Sequence, residues 1–309
     1  MTLENKRLLK GIALMLGAMS VVPILDVIAK ILSESYPVMQ ISWARFAFHT
    51  LWLLPLLYWQ KLRWWRMPKQ LSFHLLRSLM LTLATLFFFT AIKTNPIPNA
   101  LTLLFVSPLI VAMLAPFVLG ERFDIFIGIG ALVGFVGVVI VLQPDTDQFK
   151  PSLLYALVAG FCYALYIITT RKLSLSGPPL LTLFYTAIVG TLVLGPMAVL
   201  DWVVPDLVGI LMAAAMGLVA AISHFMIIKA FECATASELS PFGYFEIIVA
   251  IGLSYFVFKF VPTPVAVTGL IIIIISGLFV SWRAMKNNRA ITKQSESVLE
   301  MLYGRGATF

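Results

Sequence analysis

The sequence predicts an all-α polytopic membrane protein whose ten transmembrane helices form two inverted repeats of five helices. Three observations support this fold class: ten apolar runs of about twenty residues, a one-sided distribution of basic residues, and a weak internal repeat. The 309 residues are 61% hydrophobic and 12% charged, whereas soluble domains are roughly 25% charged. Ten spans with short links use nearly the whole chain, which leaves no room for a soluble catalytic domain.

Each apolar run is long enough to cross a bilayer, because a helix rises ~1.5 Å per residue and the hydrocarbon core is about 30 Å thick. The first run follows three basic residues but lacks a small-residue cleavage site, so we interpret it as a retained span. The predicted spans are Leu8–Val27, Val38–Trp59, Leu71–Ile92, Ala100–Leu119, Asp124–Leu142, Leu153–Thr170, Leu180–Leu200, Leu207–Ile228, Leu239–Phe258 and Pro264–Trp282.

The basic residues predict the orientation of the chain. When the links are numbered alternately from the N-terminus, sixteen Lys and Arg residues fall on one side and four on the other. The positive-inside rule then places both termini in the cytoplasm, including a polar tail over residues 287–309. The net charge of +8 is spread over short links and tails, so nucleic acid is not an expected partner.

The second half of the chain weakly repeats the first. An offset of 139 residues aligns the apolar run 109–119 with the run 248–258. The halves, 1–145 and 146–286, each hold five spans, and because five is odd the second half enters the membrane in the opposite sense. Secondary transporters built from inverted repeats bind their substrate near the midplane, between the halves. The repeat therefore predicts a carrier that works by alternating access.

Three short motifs add a family resemblance. Ser107-Pro108 followed by Val118-Leu119-Gly120-Glu121 looks like an "SP…LLGE" stretch, and Tyr244-Phe245-Glu246 looks like a "Y-x-E-P" element in which Ile247 replaces the proline. In these motifs the chain resembles the drug/metabolite transporter superfamily, in particular its ten-helix EamA-type exporters. Within that superfamily it looks most similar to YddG-type exporters of aromatic amino acids. The resemblance implies export of aromatic amino acids, or of similar small metabolites, across the bacterial inner membrane.

Ionisable side chains inside spans are the first candidates for function, since such residues cost about 2.5–3.5 kcal/mol at a helix centre. Glu246, in the ninth span, would bind an ammonium group or exchange a proton; a neutral or paired structural carboxyl is the alternative. Arg45 and His49 share one face of the second span. Arg45 would bind a substrate carboxylate, although an outward contact with a loop carbonyl is favoured, and His49 is more typical of a packed histidine.

Two further charged positions are interpreted as structural first. Asp26 and Lys30 lie four residues apart near the end of the first span and are expected to pair with each other; a gate at the mouth is the alternative. Arg77 lies within two turns of the cytoplasmic end of its span and is expected to extend outward to the interface.

Aromatic residues and prolines complete the predicted site. Tyr163 and Tyr166 lie on one side of the sixth span, where aromatic rings would stack on a flat ligand or contact an ammonium group. Pro108 and Pro241 interrupt the corresponding fourth and ninth spans, which favours a binding site there. The predicted substrate-binding residues are Glu246, Tyr163, Tyr166, Trp43, Ser107, Tyr244, Phe88 and His224, and the predicted gating or coupling residues are Asp26, Lys30, Arg45 and His49.

Other function classes find less support in the sequence. It contains no phosphate-binding loop, no His-Glu-x-x-His and no Gly-x-Ser-x-Gly motif, and neither a cofactor nor a metal is predicted. A membrane-embedded lipid-modifying enzyme using Glu246, His224 and Asp26 is the main alternative. A channel, or a carrier of the same superfamily for another metabolite, is also possible. The expected partners are a small-molecule substrate such as an amino acid and the lipid bilayer, with the chain acting as a monomer or homodimer.

Overall fold

The predicted all-α architecture is confirmed by the computed structural model, which describes residues 3–62, 68, 70–119, 125–142, 150–173, 177–234, 239, 242–279, 282–283 and 286. The helices are α1 (Leu3–Leu32), α2 (Val38–Trp59), α3 (Leu71–Thr94), α4 (Ile97–Leu104), α5 (Ser107–Leu119), α6 (Ile125–Leu142), α7 (Leu154–Leu173), α8 (Pro179–Ala198), α9 (Leu207–Cys233), α10 (Phe245–Phe258) and α11 (Pro264–Phe279). By length and composition, α1, α3, α7 with its preceding turn, α8 and α9 can each cross a membrane.

The bundle has the polarity of a membrane protein, with charged groups inside and apolar side chains outside. Asp26, Arg45 and Arg77 are buried, whereas Phe117 and Ile125 are among many large apolar residues that are exposed. Water would disfavour such a surface, but lipid does not. The outer surface therefore supports the interpretation of the apolar runs as membrane spans.

The predicted fourth span is broken into two helices, α4 and α5, which meet at a turn over Phe105 and Val106. A proline at position 108 has no N–H to donate to the carbonyl of Leu104, four residues earlier, so a regular helix cannot continue. That carbonyl faces Gly160 of α7, where a Cβ atom would lie only 2.9 Å from the Leu104 oxygen. In the ninth span a turn at Tyr244 separates the helical residues 242–243 from α10, and Pro241 lies outside the described residues.

The packing of the helices follows the predicted repeat. Helix α1 packs along α9 and α10, while α7 packs along α3 and the α4–α5 pair. Exchanging each helix with its counterpart in the other half converts the first set of contacts into the second. This is the arrangement that a pseudo-two-fold axis between inverted halves produces. Helices α2 and α8, which are also counterparts, pack on each other.

The fifth and tenth spans, α6 and α11, meet through small residues. A Cβ atom on Gly137 of α6 would lie 2.8 Å from the backbone oxygen of Gly269 in α11. The hydroxyl of Ser276 donates to the backbone oxygen of Gly130 across the same contact. Small residues at a membrane helix contact let two backbones approach closely. The glycines of α6 therefore have a structural role, because they let α11 approach closely.

Gly217 is a position where the close approach of two helices can be tested. A Cβ atom there would lie 2.7 Å from the backbone nitrogen of His49 in α2, which cannot turn aside. We expect Gly217→Ala to destabilise the protein by about 1–3 kcal/mol through overpacking, measured as a lower unfolding temperature in detergent. Gly252→Ala is the control, because a Cβ atom there meets nothing within 4 Å and alanine favours the helix. Equal effects of the two substitutions would contradict this account.

Candidate substrate-binding site

A cavity lies near the middle of the bundle, between α1, α9 and α10 on one side and α3, α4 and α7 on the other. These are six of the predicted spans, joined here by α2 through Arg45. The volume of the cavity is about 60 Å³, which is room for a few water molecules. Its lining consists of Val22, Leu25, Asp26, Arg45, Leu81, Ala84, Thr85, Phe88, Phe89, Leu101, Leu104, Tyr163, Ser223, His224 and Glu246.

Two carboxyl groups face this cavity from neighbouring helices. Asp26 of α1 is 3% exposed and Glu246 of α10 is 6% exposed. Because α10 begins at Phe245, Glu246 lies in its first turn, where the helix dipole favours a negative charge. The Oδ2 atom of Asp26 has no hydrogen-bond partner among the described residues. This side of the cavity is therefore suited to a cationic group of a ligand.

Arg45 supplies the opposite charge. The predicted outward contact of Arg45 is wrong, because the side chain is 4% exposed and lines the cavity. Its Nη1 atom donates to the Thr85 hydroxyl, and its Nη2 atom lies 2.8 Å from Nε2 of His224. Nε has no partner within the described part of the chain. The guanidinium is thus fixed on one edge and has an unused N–H on another.

A chain of buried polar contacts continues from Arg45 toward the beginning of α3. Nδ1 of His224 lies 3.0 Å from the Tyr166 hydroxyl, to which Nη2 of Arg77 donates at 3.1 Å. Arg77 also donates from Nε to the Thr170 hydroxyl at 2.8 Å. The prediction that Arg77 extends to the interface is wrong, since its side chain is fully buried. Its guanidinium finds partners on α7 and α8 instead of headgroups or water.

Lys30 lies near the end of α1, next to the link that carries Tyr36; we call this end of the bundle the Tyr36 end. The expected ion pair with Asp26 is not formed. Instead, Nζ of Lys30 donates to the backbone oxygens of Ile92 at 2.6 Å and Asn95 at 2.8 Å, where α3 ends. Carbonyls in a last helical turn lack intrahelical partners and attract cations. Lys30 therefore ties α1 to α3 at the Tyr36 end.

The structure brings six of the predicted site residues to the cavity and places the others around it. The six are Asp26, Arg45, Phe88, Tyr163, His224 and Glu246. Tyr166 lies behind the lining and reaches it through His224, while His49 stacks near His224 with ring centroids 6.4 Å apart. Lys30 lies beyond the lining, toward the Tyr36 end.

The remaining three candidates lie in other surroundings. Trp43 packs edge-on against Trp202 at 5.5 Å and lines a separate, apolar cavity of about 270 Å³ between α2 and α9. Tyr244 packs edge-on against Phe105 at 5.3 Å, which joins the two interrupted spans. Ser107 is buried at the start of α5. These positions favour support of the cavity wall over contact with a ligand.

Sequence reasoning missed Thr85 and Ser223, two hydroxyl side chains of the lining. A signal for Thr85 was present, because Ser78, Thr82 and Thr85 recur at helical spacing and mark one polar face of α3. Ser223 directly precedes His224 and had no periodic signal of its own. Within the described residues, no group of three or more His, Cys, Asp or Glu side chains is arranged to hold a metal ion.

The two halves of the sequence each resemble the same family of known proteins. Residues 9–143 and 150–282 each match the EamA-like transporter family. The chain is 28% identical over 282 residues to the S-adenosylmethionine uptake transporter of Rickettsia prowazekii, covering 91% of this chain and 96% of the relative. It is 27% identical over 287 residues to the riboflavin transporter of Vibrio cholerae, again covering 91% and 96%. Neither name refers to an aromatic amino acid, so that specificity stays a prediction.

A solved structure also resembles this one, with a TM-score of 0.65 over 91% of this chain and 98% of the other. The two sequences are 16% identical, so the likeness concerns the fold alone. The family matches together span most of the sequence, and each match covers one half. The chain therefore belongs to the EamA-like transporter family, as a multi-pass membrane transporter with two repeats of five helices.

Proposed function

We propose that this protein is a secondary carrier that moves a small zwitterionic metabolite with a flat ring across the bacterial inner membrane by alternating access. The observation that carries this proposal is the mid-bundle cavity, in which two carboxyl groups, one guanidinium and several aromatic rings converge. A cavity with both signs of charge and an aromatic wall fits a solute that carries the complementary groups. We further propose that residues 1–145 and 146–286 are the two structural repeats. The parts that move are the two helix groups that border the cavity, each of which contains helices of both repeats.

Each part of such a solute has a counterpart in the lining. Asp26 and Glu246 suit an ammonium or sulfonium group, and Arg45 suits a carboxylate through paired hydrogen bonds. Phe88 and Tyr163 offer faces for a ring and for cation–π contact. Aromatic amino acids meet this description, as does S-adenosylmethionine, the substrate named for one relative. Because that relative is named for uptake, the direction of transport follows from the gradients rather than from the fold.

The size of the cavity bears on how a solute would enter it. At about 60 Å³ it is far smaller than the roughly 300–1,000 Å³ of pockets that hold drug-sized ligands. The helix groups on either side must separate before a metabolite can enter. Opening of the bundle at either end would enlarge the cavity for a solute and complete the transport cycle.

Orientation follows from the basic residues. With both termini in the cytoplasm, the Tyr36 end faces the periplasm, and the opposite end, where α3 begins, faces the cytoplasm. The contact of Lys30 with the end of α3 then acts as a periplasmic gate, because it joins the two helix groups that border the cavity. Proton coupling would use the Glu246 carboxyl, which can take up and release a proton inside the cavity.

Counterflow in liposomes tests the proposed function. Purified protein is loaded with unlabelled solute and challenged with labelled phenylalanine, tryptophan, threonine, S-adenosylmethionine or riboflavin. Saturable counterflow of a zwitterion with a ring supports the carrier and identifies its cargo. Unsaturable flux without exchange would indicate a channel, chemical change of the lipid would indicate an enzyme, and counterflow of threonine alone would contradict the aromatic recognition.

Removing either cavity carboxylate should impair transport. We expect Glu246→Gln and Asp26→Asn each to lower counterflow roughly tenfold or more, since a hydrogen bond to a charged group contributes about 1.5–3 kcal/mol. Tyr163→Ala should impair it as well, through the lost ring face. Glu232→Gln is the matched control, because Glu232 pairs with Lys229 at 2.8 Å on the α9 surface. If the three cavity variants all transport like the parent, the binding site lies elsewhere.

Loosening the proposed gate should expose the cavity at one end. We expect Lys30→Met to raise the rate at which an impermeant maleimide labels Ser223→Cys roughly tenfold, through loss of two hydrogen bonds. Cys162 and Cys233 are first replaced by serine. Labelling should rise in right-side-out vesicles and not in inverted ones. Lys93→Met is the control, since Lys93 is exposed in the same last turn of α3. Unchanged labelling with Lys30→Met would contradict the gate.

A further inference from the structure

His224 is contacted at both ring nitrogens by buried side chains from other helices. Nη2 of Arg45 lies 2.8 Å from Nε2, and the Tyr166 hydroxyl lies 3.0 Å from Nδ1. The Tyr166 oxygen in turn accepts a hydrogen bond from Nη2 of Arg77 at 3.1 Å. The histidine therefore sits between two arginines, one of which borders the cavity while the other does not.

Counting hydrogens fixes the protonation of the ring. An arginine only donates hydrogen bonds, so Nε2 of His224 must accept from Arg45 and carries no hydrogen. A neutral imidazole then has its hydrogen on Nδ1, where it donates to the Tyr166 oxygen. That oxygen can accept from both His224 and Arg77, because a hydroxyl has two lone pairs. A histidine protonated at both nitrogens would set two N–H groups against each other at Arg45.

We propose that His224, Tyr166 and Arg77 are positioning residues that hold Arg45 in place for the carboxylate of the substrate. The Nε–H of Arg45 has no partner among the described residues although the side chain is more than nine-tenths buried, and Arg45 lines the cavity. Thr85 and His224 occupy the two Nη atoms, so the guanidinium cannot rotate away from this position. This inference rests on the proposed function, which supplies the carboxylate.

The surroundings explain why such a chain is needed. The charged and titratable groups that line the cavity around His224 and Arg45 are Asp26 of α1, Tyr163 of α7 and Glu246 of α10. Without its contact to His224, the Arg45 guanidinium would be drawn to these carboxylates and would neutralise the groups proposed to bind the cation. The series of contacts from Arg77 through Tyr166 and His224 therefore keeps the Arg45 guanidinium apart from the two carboxylates.

The state of the His224 ring can be measured without any ligand. The protein has three histidines, so nitrogen NMR of histidine-labelled protein gives a small set of signals, assigned with His49→Gln and His74→Gln. At neutral pH we expect His224 to be neutral, with its hydrogen on Nδ1. A hydrogen on Nε2, or on both nitrogens, would overturn the inference whatever the substrate is.

The positioning role is measured as a preference for a carboxylate. Two pairs of probes are used: tryptophan with tryptamine, and S-adenosylmethionine with its decarboxylated form. Within each pair, the ratio of the two dissociation constants measures the preference. The unaltered protein should prefer the carboxylated member. We expect His224→Leu and Tyr166→Phe to reduce this preference roughly tenfold, as loss of a charge-assisted contact does, while His224→Gln, which retains an acceptor, keeps most of it.

The controls separate this inference from the proposed function. His49→Gln should keep the full preference, because His49 is buried near His224 but contacts neither Arg45 nor Tyr166 through a hydrogen bond. If the unaltered protein binds no member of either pair, the proposed substrate class fails, and the ring state of His224 alone decides the inference. If the unaltered protein prefers the carboxylated member and the His224→Leu and Tyr166→Phe variants show the same preference, the positioning role is overturned. Thermal unfolding of both variants shows that they are folded.

Discussion

Polar groups inside a membrane-spanning bundle must find partners within the protein, because the surrounding hydrocarbon offers none. This constraint accounts for the Arg45–His224–Tyr166–Arg77 chain, in which each side chain satisfies the next across helices of both halves. It also accounts for the broken fourth span, whose turn is covered by α7 rather than exposed to lipid. Two side chains that keep a buried atom without a partner among the described residues, Asp26 and Arg45, both line the cavity.

The inverted repeat explains why the cavity lies where it does. Helices α4 and α10 are counterparts, both are shortened or interrupted, and both contribute to the lining. An interruption at the same place in each half removes helix from the midplane on two sides and leaves space between the halves. Helix ends at that depth also provide local dipoles, one of which lies beside Glu246. The repeat therefore supplies both the space and part of the electrostatic field.

Much of the fold followed from the sequence because apolar length and the placement of basic residues are direct consequences of bilayer thickness and membrane insertion. The intramembrane charges Asp26, Arg45 and Glu246 were equally visible, since their cost demands a reason. Their hydrogen-bond partners could not be predicted, because a sequence shows which residues are neighbours on one helix, whereas these hydrogen bonds join different helices. For that reason the i,i+4 pair of Asp26 with Lys30 was expected, whereas the contacts of Lys30 with α3 and of Arg77 with α7 and α8 required the tertiary structure.

The lysine that joins α1 to the end of α3 has a counterpart in the other half. Lys30 aligns with Lys172 at an offset of 142 residues, and the end of α3 corresponds to the end of α9. In this structure the Lys172 ammonium lies 4.1 Å from the centre of the Phe73 ring. If the halves exchange conformations, the contact of Lys30 with the end of α3 corresponds to a contact of Lys172 with the end of α9. A lysine would then hold each end of the bundle closed, and the two contacts would be equivalent by the symmetry of the repeat.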